Sequence, residues 1–488
     1  ATARTTATTT LTLTLALALA SALALALALT NWPAEGYLYK HKSADMKDPI
    51  KGFSKLSKAA KLEWLVNNNF DQPEEARDIF TTYWHADAAL QQRHDEFIEN
   101  TISNYYMPYG VAPNFKINGN LYTIPMAIEE SSVVAAAAKS AGFWMDRGGF
   151  TAEVLSTEKI GHVHFMYEGD ATPFFEDFDA LENALRAATA ELVANMEARG
   201  GGISQITVVD ATDRLENYYQ LEVTFETCDS MGANFINSNL EEMAKSLEQF
   251  AAQHPKLSGD KLEVVMRILS NYTPKCLVRA SVSCPVEELA SEGVSSEEFA
   301  RKFKRAVDIA NAEPYRATTH NKGIMNGIDA VIIATGNDFR AVEAACHTHA
   351  SRSGSYKSLT GCSVENGTFT FWIEIPLALG VVGGLTKLHP LVVRSLEMLG
   401  KPNAEELMGI VAVSGLAQNF AAIRALVTTG IQKGHMKMHL MNILTQLEAT
   451  PEEKIQVANF FKDKVPHHRE VVNYFCELRG VPVPKVEK

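Results

Sequence analysis

Between Tyr315 and Asp338 the chain reads YRATTHNKGIMNGIDAVIIATGND. An Arg, a His, a Lys and an Asp surround one apolar run, Ala330–Ala334. The β-branched residues of that run, closed by Thr335-Gly336-Asn337-Asp338, predict a short buried strand. Unpaired charge is costly to bury, so charges at both ends of such a strand are paired, neutralised or functional. One reading is a structural Lys322–Asp338 ion pair. The other is a catalytic Lys, held by a carboxylate and aimed at a developing oxyanion.

Three further groupings have chemical potential. Glu129 and Glu130 follow an apolar strand, and adjacent strand residues face opposite ways. One can be solvated while the other faces a cleft, where desolvation would let it hold a proton at neutral pH. His435 and His439 are four apart, a spacing that suits either one metal or one helix face. No H-E-x-x-H and no third ligand accompanies them, so no metal is expected. Asp229-Ser-Met-Gly-Ala-Asn234 lies between a strand and a helix. Gly232 would let a backbone approach closely, and the helix N-terminus after it can receive a pyrophosphate. The plainer alternative is an ordinary strand-to-helix turn. No G-x-G-x-x-G or Walker A sequence is present.

The elements that must position these groups are legible in outline. Residues 55–104 are helical in pattern, with Ala59, Leu62 and Leu65 on one face and Phe97–Ile102 forming another apolar face. Met107–Pro113 reads as a loop, Asn118-Gly-Asn120 as a turn between short strands, Ile124–Glu130 as a strand end, and Ser131–Ala141 as a helix of small residues. Residues 159–168, 203–210, 218–225 and 261–269 read as strands, with helices over 174–198 and 232–253. That order, β-α-β-β-α-β, is the ferredoxin-like unit. A helix capped by Ser295 runs to about Asn311, another spans Phe339–Ala350, a strand covers Thr368–Ile375, and a helix covers Glu405–Leu426. Thr450-Pro-Glu-Glu453 starts a late helix with a Thr cap and Pro at its first position.

A chain of 488 residues, 46% hydrophobic and 21% charged, has ample core for two or three domains. Its net charge of -13, without a long Lys/Arg run, argues against a nucleic-acid partner. An anionic substrate must then be held by local cations and helix N-termini. The six Cys lack C-x-x-C spacing and fit buried thiols in a reducing compartment. Residues 11–29, LTLTLALALASALALALAL, are uncharged and long enough to span a bilayer as a helix. The first Met is Met46. Residues 1–45 are therefore read as translated upstream sequence or an artefact rather than a membrane anchor.

Several segments together resemble hydroxymethylglutaryl-coenzyme A reductase in its soluble class II form. They are the opening stretch, Pro125-Met-Ala-Ile-Glu-Glu130, Asp229–Asn234, Gly415-Leu-Ala-Gln-Asn419 and Gly434-His-Met436. The resemblance runs from about Met46 to the C-terminus. Glu99-Asn-Thr-Ile-Ser103 resembles a further family motif near the substrate, with Ser103 for Gly. Ser131 stands where the family has Pro, and Ser230 where it has Ala.

The resemblance implies an α+β fold. Its parts would be a low-complexity extension (1–45), a large domain in two pieces (46–156 and 270–428), an inserted ferredoxin-like NAD(P)-binding domain (157–269) and a helical C-terminal flap (429–488). It implies interconversion of HMG-CoA with mevalonate and coenzyme A, using two NAD(P)H and no metal. Lys322 would stabilise the oxyanion, Glu130 would supply a proton, Asp338 would hold the Lys and tune Glu130, and His435 would protonate the leaving thiolate. Ser132, Arg316, Asn326, Gln418 and Asn419 would contact substrate. Asp229, Met231, Gly232 and Asn234 would bind the cofactor. A cytoplasmic homodimer with shared active sites is expected. The alternatives are the same enzyme oxidising mevalonate, and a non-catalytic coenzyme A ester-binding protein. In NADH-using members an Asp precedes the glycine run, but Val193 takes that position before Gly200-Gly-Gly202. With Arg199 nearby, NADPH should be accepted at least as well as NADH, unless Glu197 does the work of the Asp.

Overall fold

The computed structural model describes residues 49–290, 293–428, 440–462, 464 and 466–482. The low-complexity extension, His435 and His439 lie outside them. The chain divides into two compact units, one ending at Asn104 and one beginning at Tyr105.

The first unit holds helices α1 (Lys58–Asn69), α2 (Pro73–Thr82) and α3 (Ala88–Asp95). Ser57 and Asp87 cap α1 and α3 through their side-chain oxygens, and Pro73 opens α2. Leu62, Val66 and Ala76 form its small core, and a Lys58–Asp95 ion pair of 2.6 Å joins α1 to α3. Phe97–Ile102, expected as a helical face, is a series of turns in which Ile98 is exposed. Ile102 instead gives its carbonyl to the Trp84 indole N–H at 2.9 Å.

The second unit opens with the hairpin β1 (Tyr109–Ile117) and β2 (Asn120–Ala127). Asn118 and Gly119 both take left-handed backbone, as a two-residue hairpin turn requires. Pro113, expected in a loop, sits inside β1 where the register shifts between Ala112 and Phe115. A bulge is one of the few strand positions that tolerate a missing N–H. Then come α4 (Val133–Met145) and β3 (Thr151–Thr157).

Next is a run with a core of its own: β4 (Lys159–Tyr167), α5 (Thr172–Glu176), α6 (Phe178–Glu197), β5 (Gly202–Asp210), β6 (Tyr218–Glu226), α7 (Ala233–Gln253) and β7 (Leu262–Leu269). Its antiparallel strands lie in the order β5-β6-β4-β7. α6 and α7 supply Leu181, Leu185, Ile236, Leu240 and Met243 to one face of that sheet.

The main core resumes with β8 (Cys276–Pro285), α8 (Ser296–Ala312), α9 (Pro314–Ala334), α10 (Phe339–Ala350), β9 (Thr360–Glu365), β10 (Thr368–Pro376), α11 (Pro390–Met398) and α12 (Ala404–Val427). The second four-stranded sheet runs β3-β8-β10-β9, so it is built from strands on both sides of the β4–β7 run. α12 is apolar and long enough to cross a membrane, but 67% of its most apolar window is buried among the other elements. It packs on α9 at close range because both are notched. A Cβ on Gly327 would lie 2.5 Å from the Ser414 carbonyl oxygen, and one on Gly415 would lie 2.7 Å from Ile328 Cγ1. Near the C-terminus α13 (Pro451–Phe460) and α14 (His468–Arg479) form a separate apolar cluster.

The expected strand Ala330–Ala334 is the last turn of α9. Five apolar residues do not separate a buried strand from a helix buried on several sides. Here Ala330, Val331, Ile332 and Ala334 are all buried within the helix. Its start is marked by Glu313, whose carboxylate accepts from the N–H groups of Tyr315 and Arg316, and by Pro314 at the first position. Its end is a Schellman motif. Gly336 is left-handed, its N–H bonds Ile333, and the Asn337 N–H bonds Ile332.

Candidate active site

Lys322 projects from the middle of α9, and Glu130 from the turn between β2 and α4. Lys322 Nζ donates to Glu130 Oε2 at 2.5 Å. The Lys side chain is 61% and the Glu side chain 38% exposed. The pair is therefore an open ion pair rather than a carboxyl in an apolar cleft. Glu129 is exposed; β2 ends at Ala127, short of the expected Glu130, so the two acids sit in a bend rather than alternating on a strand. Ser132 ends the same turn with φ of 76°, and its hydroxyl does not cap α4. A non-glycine residue held there is a sign of local strain, of the kind that gathers at functional sites.

Asn326 lies one turn beyond Lys322 and shares its face of α9. Arg316, six residues earlier, projects about 120° further round the helix. Burial pulls the Arg316 guanidinium below its ordinary pKa, and no carboxylate among the described residues answers its charge. The chain thus brings Glu130, Lys322 and Asn326 together, with Ser132 at the edge, and leaves Arg316 on another face.

Asp338 does not pair with Lys322. It caps α10 by accepting from the N–H groups of Arg340 and Ala341, and its two oxygens take Arg340 Nε and Nη2 at 3.0 and 2.9 Å. The Arg340 guanidinium is the main reason its carboxyl is held below the usual range. The Lys322–Asp338 pairing rested on a strand with a charge at either end. A helix carries Lys322 to a different level and hands it to Glu130.

Gln418 and Asn419 are both buried on α12. Asn419 accepts from the Thr360 hydroxyl at 3.3 Å and donates to the His320 carbonyl at 3.3 Å. It is a tie between α9, α12 and β9. Gln418 packs its Cβ against Gly327, and its Oε1 has no partner among the described residues.

The Asp229–Asn234 loop joins β6 to α7. Gly232 has φ of 90°, and a Cβ there would strike the Thr227 side chain at 2.5 Å. No side chain caps α7, so its first N–H groups remain to be satisfied from outside the helix. Met231 is half-buried and Asn234 exposed. Asp229 Oδ1 is used structurally, accepting the Ala404 N–H at 2.9 Å at the start of α12.

Gly380, which the sequence did not single out, joins this loop to the end of α9. A Cβ on Gly380 would sit 2.5 Å from Met231 N, so the loop lies directly on that glycine. The Gly380 N–H donates to Asn337 Oδ1 at 2.9 Å, beside Asp338. A glycine following a strand was the available signal, and it is too common to stand out. On the other side, Cys228 Sγ donates to the Arg199 carbonyl at 3.4 Å, which puts the end of α6 beside the loop. Val193 is buried and cannot reach a ligand.

A model of the protein family described as hydroxymethylglutaryl-coenzyme A reductase matches residues 59–440. The chain is 37% identical over 435 residues to the 3-hydroxy-3-methylglutaryl-coenzyme A reductase of Archaeoglobus fulgidus, an alignment covering 88% of this chain and 94% of that one. It is 33% identical over 386 residues to a probable reductase of the same name from Borreliella burgdorferi, covering 78% and 85%. Among solved structures it resembles the enzyme of Streptococcus pneumoniae, with a TM-score of 0.65 at 33% identity over 88% of this chain and 100% of that one. A class II structure from the same organism, bound to NADPH in open conformations, gives 0.63 at 34% identity, covering 78% and 100%.

Proposed function

The chain belongs to the class II hydroxymethylglutaryl-coenzyme A reductase family, and from that premise we propose that it interconverts HMG-CoA with mevalonate and coenzyme A at the Lys322–Glu130 site. The observation that carries the reading is the contact of Lys322 Nζ with Glu130 Oε2 across two separate elements. An ammonium against a carboxylate offers a cation for the oxygen of a reacting carbonyl and an acid–base group within reach of the same atom.

Two equivalents of NAD(P)H would supply the reducing electrons. The residues present fit such a cofactor. The uncapped N-terminus of α7, behind the left-handed Gly232, offers backbone N–H groups to a pyrophosphate. Met231, Gly232 and Asn234 would line it, while Asp229 fixes the loop to α12. Arg199 beside the loop would attract a 2′-phosphate, and Val193 carries no acid to repel one, so NADPH would be accepted at least as well as NADH. Residues 157–269 would be the cofactor domain, with the ferredoxin-like strand order.

At the chemical site Lys322 would hold the developing oxyanion and Glu130 would deliver the proton that neutralises it. Asn326 would hydrogen-bond the same region, and Ser132 would contact the substrate. His435, outside the described residues, would protonate the thiolate of coenzyme A. Arg316, desolvated and unanswered, would take the free carboxylate of the substrate. It faces away from Lys322 on α9, so a homodimer that completes each site from two chains is the assembly proposed, acting in the cytoplasm. The test is NAD(P)H oxidation dependent on HMG-CoA. Turnover in the purified protein that is lost in Lys322→Ala supports the reading. A folded, dimeric protein that binds HMG-CoA without oxidising NAD(P)H would overturn it.

A further inference from the structure

Gly380 and Val381 follow β10 and lie between the end of α9 and the Asp229–Asn234 loop. On the loop side, the Val381 N–H donates to the Asp229 carbonyl at 2.9 Å. The Ser230–Met231 peptide rests on Gly380, where a Cβ would lie 2.5 Å from Met231 N and 3.1 Å from the Ser230 carbonyl carbon. On the α9 side, the buried Gly380 gives its N–H to Asn337 Oδ1 at 2.9 Å. We propose that Asn337 is a positioning residue for the dinucleotide. Its side-chain oxygen sets where Gly380 lies, and so where the loop and the N-terminus of α7 stand relative to Lys322. The link to NAD(P)H rests on the cofactor reading above.

Both ends of this series of contacts are stiff. Asn337 closes α9, and its own N–H bonds the Ile332 carbonyl at 3.0 Å, so its backbone moves with the helix. Its amide has one orientation. The Gly380 N–H can only donate, so the atom that meets it is the oxygen. Nδ2 is then left beside the Thr335 carbonyl and hydroxyl, both at 3.4 Å. Thr335 is buried, with its hydroxyl donated to the Val331 carbonyl at 2.8 Å. The loop is braced from within. The Thr227 hydroxyl donates to the Ser230 carbonyl at 2.6 Å, and the Ser230 hydroxyl donates to the Thr227 carbonyl at 3.0 Å. Asp229 has a second hold on the rest of the molecule through the Ala404 N–H at 2.9 Å. The start of the loop is thus fixed to α12, and the height of Met231 is left to Gly380.

The consequence is geometric. A pyrophosphate received at the N-terminus of α7 anchors the dinucleotide, and the anchor decides where its nicotinamide falls. Hydride transfer needs the reacting atoms about 3–3.5 Å apart, and a misplacement of about 1 Å costs about a hundredfold. Lys322 stands on α9 and the anchor on the β4–β7 run. Asn337 ties the one to the other. It acts through Gly380, so its loss is felt in cofactor binding and not in the binding of HMG-CoA.

Two substitutions separate the hydrogen bond from the bulk of the side chain. Asn337→Leu is close to the native shape but cannot accept, whereas Asn337→Asp keeps an oxygen for the Gly380 N–H. With that buried N–H unpaired, Asn337→Leu should raise KM for NADPH about tenfold and leave KM for HMG-CoA within about twofold. Asn337→Asp should bring KM for NADPH back to within about threefold of wild type. Hydrogen exchange gives a second readout that needs no turnover. The Val381 amide, released when the loop lifts from Gly380, should exchange about tenfold faster in Asn337→Leu and at the wild-type rate in Asn337→Asp. A residue that only supports the fold would lower the melting temperature and raise both Michaelis constants together. That result, or an Asn337→Asp variant as impaired as Asn337→Leu, would overturn the proposal. So would unchanged NADPH kinetics with unchanged Val381 exchange in Asn337→Leu. If Asn337→Leu does not fold, Gly380→Ala reaches the contact from its other end by driving a Cβ into Met231 N. A rise in KM for NADPH alone would then support the proposal, and equal rises for both substrates would overturn it. Wild-type protein that binds no NADPH would overturn the cofactor reading, and Val381 exchange would still decide whether Asn337 holds the loop.

Discussion

Removal of the Lys322 ammonium separates a catalytic pair from a structural one. The Lys322–Glu130 contact is short, but the side chains are 61% and 38% exposed. An exposed ion pair contributes about 0–1 kcal/mol once solvent screening and side-chain entropy are counted. Lys322→Ala leaves Glu130 facing water rather than stranded in an apolar interior, so no buried-charge penalty is added. In a chain this long the melting temperature should move by less than about 4 °C. The catalytic cost is of another size. Loss of one preorganised donor to an oxyanion lowers turnover by about a hundredfold or more, about 2.7 kcal/mol of transition-state stabilisation. Steady-state NAD(P)H oxidation on purified wild type and variant, with circular dichroism melts beside it, reads both numbers. Lys322→Arg retains the charge but cannot place it at the same point, and should recover only part of the rate. Near-normal turnover in Lys322→Ala would refute the catalytic reading. A collapse of the melting temperature would show instead that the ion pair holds the fold.

Most elements were legible wherever a boundary signal stood beside a periodic run. Ser295 before α8 and Thr450-Pro451 before α13 are side-chain caps, and both work as read. The strands of the β4–β7 run alternate apolar and polar residues because one face packs on α6 and α7 and the other does not. α9 was misread because its last turn has no polar face to give a helical period. Glu313-Pro314 was the available start signal, but a Glu is a weaker cap prior than Ser, Thr, Asp or Asn. The error moved Lys322 and so changed its partner. The family resemblance points to Glu130 as an acid, but nothing in the spacing of residues 130 and 322 announces that they touch. Buried amides were the other blind spot. Asn419 has the residue type of a ligand contact, but its bonds to Thr360 and His320 are internal ties between packed elements. Side-chain type does not distinguish an amide that binds substrate from one that satisfies a backbone carbonyl.

Three further outcomes are expected. Gly327→Ala drives a Cβ into the Ser414 carbonyl and Gln418 at the α9–α12 contact, and should destabilise by about 1–3 kcal/mol, read as a lower denaturation midpoint. His320 is buried with Nε2 2.6 Å from the Thr360 hydroxyl, and burial pushes its imidazole down to about 3. The unfolded chain binds that proton below about pH 6.5 and the folded chain does not, so stability should fall as pH drops from about 6.5 toward about 3. A melting temperature that holds constant across that window would refute the assignment. The last concerns Arg199, whose carbonyl meets Cys228 beside the Asp229–Asn234 loop. Its Nε is spent on the Asn195 carbonyl at 3.0 Å and Nη2 donates to the Met196 sulfur at 3.7 Å, so Nη1, with Nη2 if it leaves that weak contact, is what remains to meet a phosphate. A charged hydrogen bond is worth about 1.5–3 kcal/mol, so Arg199→Ala should lower kcat/KM for NADPH by about tenfold to a hundredfold. NADH carries no 2′-phosphate, and its kcat/KM should not change. Parallel kinetics with the two cofactors isolate the phosphate, because any general damage to the loop lowers both. An equal loss for NADH and NADPH would show that Arg199 supports the fold around Cys228 and does not read the phosphate. A strong NADH preference in the wild type would instead assign the ribose contact to an acid, with Glu197 beside Gly202 as the residue to replace.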